Sequence, residues 1–148
     1  MSEFSFSFEA TAHASPEAVF AILADATRWK EWAGWFIRDS WWEREGTPPP
    51  GGVGAIKRLG TKVVGSREET VEYEPPKHYA YRIVSGQPVK NYRADVELTP
   101  VDGGTHIRWS SRFEPTVPGT GPFMRWYLGR IVAGLTRRLA AHASQTAS

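Results

Sequence analysis

Three side chains could carry acid–base chemistry if they share the interior of this protein: Glu69, Tyr81 and Tyr92. A carboxylate beside an enolisable carbon, with its pKa tuned by burial, can act as a general base. A tyrosine hydroxyl nearby can polarise a carbonyl oxygen. Glu69 is therefore the candidate catalytic residue, with Tyr81 or Tyr92 as its partner. Only one inward carboxylate is predicted, so this catalytic set is sparse.

The alternation of side chains along the strands predicts which residues point inward. In the segments 92–98 and 105–113, mostly apolar residues expected to face inward alternate with polar residues expected to face outward. In an earlier segment, Val71 and Tyr73 are the apolar pair, which places Glu69 on the inner face. The polar and aromatic residues expected inside are Tyr73, Tyr81, Tyr92, Trp109 and Ser111, together with Glu69. A mostly apolar interior with a few converging polar groups is typical of a small-molecule site, because buried polar groups are costly unless paired.

The other motifs do not favour nucleotide or metal chemistry. The segment Gly52–Lys57 lacks the third glycine of G-x-G-x-x-G and opens a strand, so it offers no helix N-terminus to a phosphate. The four histidines lack metal-ligand spacing, and no Ser-His-Asp order occurs. We therefore expect no metal and no cofactor. A net charge of +2 is weak evidence for nucleic acid, which we do not expect as a partner.

Length and composition favour one domain over residues 1–148. The absence of cysteine fits a reducing compartment. Neither a charged and apolar leader nor a bilayer-length apolar stretch occurs, so we expect a cytoplasmic protein. Five of the seven tryptophans fall between Trp29 and Trp42, where they would either fill a core or line a cavity.

Local patterns predict the elements that must position these residues. Phe4, Phe6 and Phe8 alternate with serines, which predicts a strand over 3–12. Ser15 and Pro16 are typical helix-start residues, and they predict a helix that begins at Pro16. That helix covers 16–25, a shorter one covers 27–34, and strands follow at 41–44, 53–59, 61–74, 79–85, 91–99 and 105–114. This order predicts an α+β fold with a meandering antiparallel sheet.

The last predicted element is a long amphipathic helix from about residue 121 or 122 to 143. Gly129 and Gly134 lie inside it, where they would either allow close packing on the sheet or leave room for a ligand. Trp126 falls on the outer, arginine-bearing face, where it could cover the helix end, form a dimer contact or touch a membrane. Residues 144–148 are expected to form a frayed tail.

The succession of segments resembles the START-like, or SRPBCC, superfamily, specifically its polyketide cyclase/dehydrase-like branch. The resemblance covers nearly the whole chain and is carried by Ser15–Phe20, Asp25 with Trp29 and Trp32, the glycine hairpin through Gly54, Glu74–Tyr81, Gly103–Trp109 and the terminal helix. It implies a helix-grip, or Bet v 1-like, fold: a curved antiparallel sheet of about seven strands around a long C-terminal helix, with two short helices after the first strand. It also implies a cavity between sheet and helix, with the glycine hairpin at its entrance.

Such folds host lipid carriers, sensors, cyclases and dehydratases, so fold alone does not select an activity. Our leading hypothesis is that a hydrophobic or aromatic small molecule, such as a lipid or polyketide, binds in the cavity. The candidate ligand-binding residues are Trp32, Trp35, Phe36, Tyr73, Tyr81, Tyr92, Trp109, Ser111, Leu128, Ile131 and Leu135. The first alternative is a polyketide aromatase/cyclase- or dehydratase-like enzyme, and the second is lipid transfer at a membrane surface. The sequence is compatible with a monomer or a homodimer.

Overall fold

The computed structural model describes residues 3–34, 37–60 and 65–146. Strand β1 (Phe4–Ala12) leads into helix α1 (Pro16–Leu23), whose start is capped because the Ser15 hydroxyl accepts a hydrogen bond from the Ala18 amide at 3.1 Å. A 3₁₀ turn (Ala26–Arg28), capped by Asp25, joins α1 to the short helix α2 (Trp29–Trp32). The two short helices expected after the first strand are confirmed.

The described strands form one antiparallel sheet. In chain order they are β2 (Asp39–Arg44), β3 (Ile56–Gly60), β4 (Gly65–Glu74), β5 (His78–Ser85), β6 (Val89–Val101) and β7 (Gly104–Pro115). Their spatial order is β1-β7-β6-β5-β4-β3-β2. Strands β2 to β7 are a simple meander, and β1 closes the far edge beside β7. The α+β helix-grip arrangement is therefore confirmed.

The inner faces of β6 and β7 agree with the alternation in the sequence. Ala94, Val96, Ile107 and Phe113 are each fully buried. Helix α3 (Gly121–Thr146) packs across this face with an apolar stripe made of Met124, Leu128, Val132, Leu135 and Leu139. Of its two internal glycines, Gly129 faces the Phe8 ring of β1, and Gly134 lies against the Arg138 guanidinium of the same helix.

The alternation prediction for β4 is wrong, because this strand contains a β-bulge. Thr70 pairs with Tyr81, but Glu72 pairs with Ala80, so Val71 is an extra residue on its strand. An extra residue reverses which face of the sheet the side chains point to, for all residues of the strand on one side of it. Tyr73 points inward as expected, whereas the inward carboxylate before the bulge belongs to Glu68. Glu69 lies on the outer face, in ion pairs with Arg44 and Arg82.

The frayed tail predicted from residue 144 is also wrong for residues 144–146, which continue α3. The Ser144 hydroxyl donates to the Ala140 carbonyl at 2.7 Å and accepts a hydrogen bond from the His13 amide at 2.8 Å. The last turn of the helix is thus tied to the segment that follows β1.

Candidate functional site

A cavity of about 240 Å³ lies between the inner face of the sheet and α3. This volume is somewhat below the roughly 300–1,000 Å³ of typical small-molecule sites, so the cavity suits a small ligand. Its wall includes Leu59, Glu68, Tyr81, Ile83 and Tyr92 from the sheet, and Leu128, Ile131, Val132 and Leu135 from α3. Trp29 and Ile37 add apolar surface from the segment between β1 and β2.

The polar centre of the site is a buried ion pair between neighbouring strands. Lys57 on β3 lies directly opposite Glu68 on β4, and the Lys57 Nζ is 3.4 Å from the Glu68 Oε1. Lys57 is 1% exposed and Glu68 is 8% exposed. Two full charges out of water are tolerated only when each compensates the other, so these residues must be treated as a unit.

An aromatic cage holds the ammonium group of this pair. The Lys57 Nζ lies 4.0 Å from the ring centroid of Trp29 and 4.5 Å from that of Tyr81. It also donates a hydrogen bond to the Tyr79 hydroxyl at 3.0 Å. Cation–π attraction strengthens when the cation is desolvated, so the rings replace part of the lost hydration.

Burial controls the protonation of the cavity groups. It raises the pKa of Glu68, and the nearby Lys57 ammonium only partly opposes that change. Burial also raises the pKa of Tyr81 and of Tyr92 above the ordinary tyrosine value. The two hydroxyls therefore stay protonated at neutral pH. The Tyr92 hydroxyl donates to the Ser111 Oγ at 2.9 Å, which fixes the orientation of this ring.

The structure brings five of the sequence-predicted ligand residues together in the cavity wall: Tyr81, Tyr92, Leu128, Ile131 and Leu135. Four others support the wall or lie in the core around it. Trp109 is fully buried with its ring 6.3 Å from that of Tyr81, and Ser111 bonds to Tyr92. Trp32 packs on Trp29, and Tyr73 packs edge-on against Phe20. Trp35 and Phe36 lie outside the described residues.

Sequence reasoning missed Lys57 and Glu68. A signal was present for Lys57, because it alternates with Leu59 and both therefore share the inner face of β3, whereas alternation along β4 pointed to Glu69 instead of Glu68. The glycine hairpin was expected at the cavity entrance. Instead, Gly54 has a φ of +91° and its amide donates to the Thr70 carbonyl at 2.9 Å, while the described part of the cavity wall contains no residue of this hairpin.

A second polar cluster lies on the outer face of the sheet. The two ring nitrogens of His78 each lie 2.8 Å from a carboxylate oxygen, one of Glu72 and one of Asp95, and the Arg93 guanidinium joins both carboxylates. Partial burial raises the pKa of Asp95, but the hydrogen bonds from Arg93 and His78 together outweigh it and lower that pKa overall. The nitrogen and oxygen atoms that a cation would need are engaged within the cluster.

Comparison with curated proteins finds relatives of modest similarity. Uncharacterized proteins of Mycobacterium tuberculosis and Mycobacterium bovis are 28% identical to this chain over 100 residues, which is 65% of the chain and 57% of their own length. The chain thus spans a little over half the length of the curated relatives it matches.

Solved structures share the fold at low sequence identity. Ara h 8.0201 superposes with a TM-score of 0.78 at 15% identity, covering 97% of this chain and 99% of its own. XoxI from Bacillus cereus superposes with a TM-score of 0.68 at 19% identity, covering 96% and 95%. The family model described as polyketide cyclase / dehydrase and lipid transport matches residues 3–144. With nearly the whole chain matched and the helix-grip architecture in place, the protein belongs to the polyketide cyclase / dehydrase and lipid transport family.

Proposed function

We propose that this chain binds a small apolar or aromatic molecule in the cavity between the sheet and α3. The observation that carries the proposal is the cavity itself, about 240 Å³ in volume and lined mainly by apolar side chains, with Glu68, two tyrosines, Ser66 and Gln87 as its polar residues. Burial of apolar ligand surface would supply most of the affinity, at about 25 cal/mol per Å². The family description, which covers both cyclases and lipid transport, is compatible with this role.

Geometry favours binding over catalysis. A general base must reach the substrate proton with its lone pairs free to accept it. Glu69, the candidate from sequence, lies on the outer face, and its carboxylate is engaged by Arg44 and Arg82. Glu68 lines the cavity and can accept a hydrogen bond there, but the Lys57 ammonium 3.4 Å from its Oε1 stabilises the charged form and so opposes proton transfer to this carboxylate.

A cavity-filling substitution tests the binding site. Leu135 lines the cavity, whereas Leu139, one turn further along α3, is fully buried in packed core. We expect Leu135→Phe to abolish saturable binding of naphthalene in calorimetric titration while costing less than about 1 kcal/mol of unfolding free energy. Leu139→Phe is the matched control, and it should cost about 1–3 kcal/mol because it overpacks filled space. Absence of saturable naphthalene binding to the parent protein would contradict the proposal.

A second candidate function, lipid transfer at a membrane surface, is favoured by one exposed patch on α3. Phe123, Trp126 and Tyr127 are 59%, 58% and 40% exposed, and the Phe123 ring packs against the other two at centroid distances of 6.0 and 6.1 Å. Helix α3 also carries four arginines and no acidic residue. Ile131 lines both the cavity and the surface depression beside Trp126, so the patch adjoins the ligand site. Among the described helices, none is both long and apolar enough to cross a bilayer.

Vesicle binding tests this second candidate. The protein should cosediment with phosphatidylglycerol vesicles at low salt and not with phosphatidylcholine vesicles. Arg125→Gln combined with Arg130→Gln should weaken this binding by about 2 kcal/mol, because each basic residue near an anionic surface contributes about 1 kcal/mol. Val101→Ser, which removes an exposed apolar side chain elsewhere, is the control and should change nothing. Equal binding to both lipids would rule out this role for the arginines.

A further inference from the structure

The Glu68 carboxylate in the cavity wall lacks a hydrogen-bond donor to its Oε1 within the described part of the chain. The Glu68 side chain is 9% exposed, and its Oε1 is buried without a hydrogen-bond partner among the residues that the structure describes. An ionised carboxylate can only accept hydrogen bonds, and a buried acceptor left unsatisfied is destabilising. Glu68 also lines the cavity, so its carboxylate lies where a donor carried by a ligand would approach it.

Lys57 does not supply the missing hydrogen bond to Glu68. Its Nζ is 3.4 Å from the Glu68 Oε1, which balances the charge, while its short hydrogen bond goes to the Tyr79 hydroxyl at 3.0 Å. Three rings enclose its Nζ, two of them from the cavity wall itself, and Lys57 is not among the described lining residues. The cavity therefore presents the carboxylate and not the ammonium group.

The balance of charge determines which ligands fit. Lys57 and Glu68 together are neutral, so a ligand with a net charge would bring an uncompensated charge into an apolar site. An anion would in addition meet the carboxylate of Glu68. The Tyr92 hydroxyl already donates to Ser111 and offers no competing donor to Glu68.

We propose that the cavity selects neutral, largely apolar molecules that carry a hydroxyl group, which donates a hydrogen bond to the Glu68 carboxylate. This inference rests on the proposed binding function and specifies its ligand class. The apolar body of the ligand would contact Leu128, Ile131 and Leu135, which line the cavity from α3.

Calorimetric titration with three probes of one shape tests the inference without any variant: naphthalene, 2-naphthol and 2-naphthoate at pH 7. We expect 2-naphthol to bind at least about 10-fold more tightly than naphthalene, because a hydrogen bond to a charged acceptor is worth about that ratio or more. The anionic 2-naphthoate should bind most weakly.

Two variants then assign the preference to Glu68. Lys57→Met combined with Glu68→Leu removes the pair without leaving a lone charge, and it should retain naphthalene binding while reducing the preference for 2-naphthol to about 2-fold or less. Glu69→Gln, on the outer face, is the matched control and should keep the full preference.

The outcomes separate this inference from the function it rests on. If naphthalene and 2-naphthol bind equally, or if 2-naphthoate binds best, the ligand class is wrong while the binding function stands. If none of the three binds, the binding function fails and the inference fails with it. A preference that survives in the double variant would also overturn the role of Glu68.

Discussion

Lys57→Met alone should destabilise the protein by about 3–5 kcal/mol at neutral pH, because it leaves the Glu68 charge buried without its partner. The double variant Lys57→Met with Glu68→Leu should recover most of this loss, since an apolar pair of similar volume often replaces a buried ion pair at little cost. Urea unfolding of the parent and both variants measures the difference.

The loss should depend on pH in a defined direction. Burial already raises the pKa of Glu68 above its ordinary value of 4.5, and removal of Lys57 would raise it further. The folded single variant then holds its proton at pH values where the unfolded chain has lost it. Its deficit relative to the parent should be small near pH 4.5, should grow as the pH rises from there to the folded-state pKa, and should level off above it. A deficit that shrinks with rising pH would contradict this account.

Trp29→Ala should cost about 3–5 kcal/mol, as expected for a large buried aromatic residue. Trp29 is fully buried, its Nε1–H donates to the Leu23 carbonyl at 2.8 Å, and its ring lies under the Lys57 ammonium. The substitution therefore removes packing, a hydrogen bond and one wall of the cage together.

The matched control for Trp29 is Trp126, whose side chain is exposed on α3. Trp126→Ala should change the unfolding free energy by no more than about 0.5 kcal/mol. Equal losses at the two positions, measured by urea unfolding followed by circular dichroism, would show that Trp29 does not have the central packing role assigned to it.

Much of the fold could be predicted because its signals are local. Capping by Ser15 and the alternation along β6 and β7 each depend on a few neighbouring residues. Element bounds were less accurate: α1 ends at Leu23 rather than at residue 25, and β3 begins at Ile56 rather than at residue 53. The last turn of α3 was missed because the contact that orders Ser144 comes from His13, far away in sequence.

The site was only partly predictable, since its centre depends on pairing between strands. No local sequence pattern indicates that Lys57 lies opposite Glu68, because this pairing follows from the register of β3 on β4. The same is true of the ring cage, to which Trp29, Tyr79 and Tyr81 contribute from separate elements. The amphipathic character of α3 could be predicted because a single helix contains the whole pattern.

The extra residue in β4 affects how cavity positions can be transferred between members of the family. Because Val71 reverses the inward and outward faces of the strand, a homologue without the extra residue would match this chain on one side of the bulge and be offset by one position on the other. Alignments across this strand should therefore be anchored twice, on Glu68 before the bulge and on Tyr73 after it. A single gap placed elsewhere would exchange the cavity-facing carboxylate of Glu68 with that of its outward-facing neighbour Glu69.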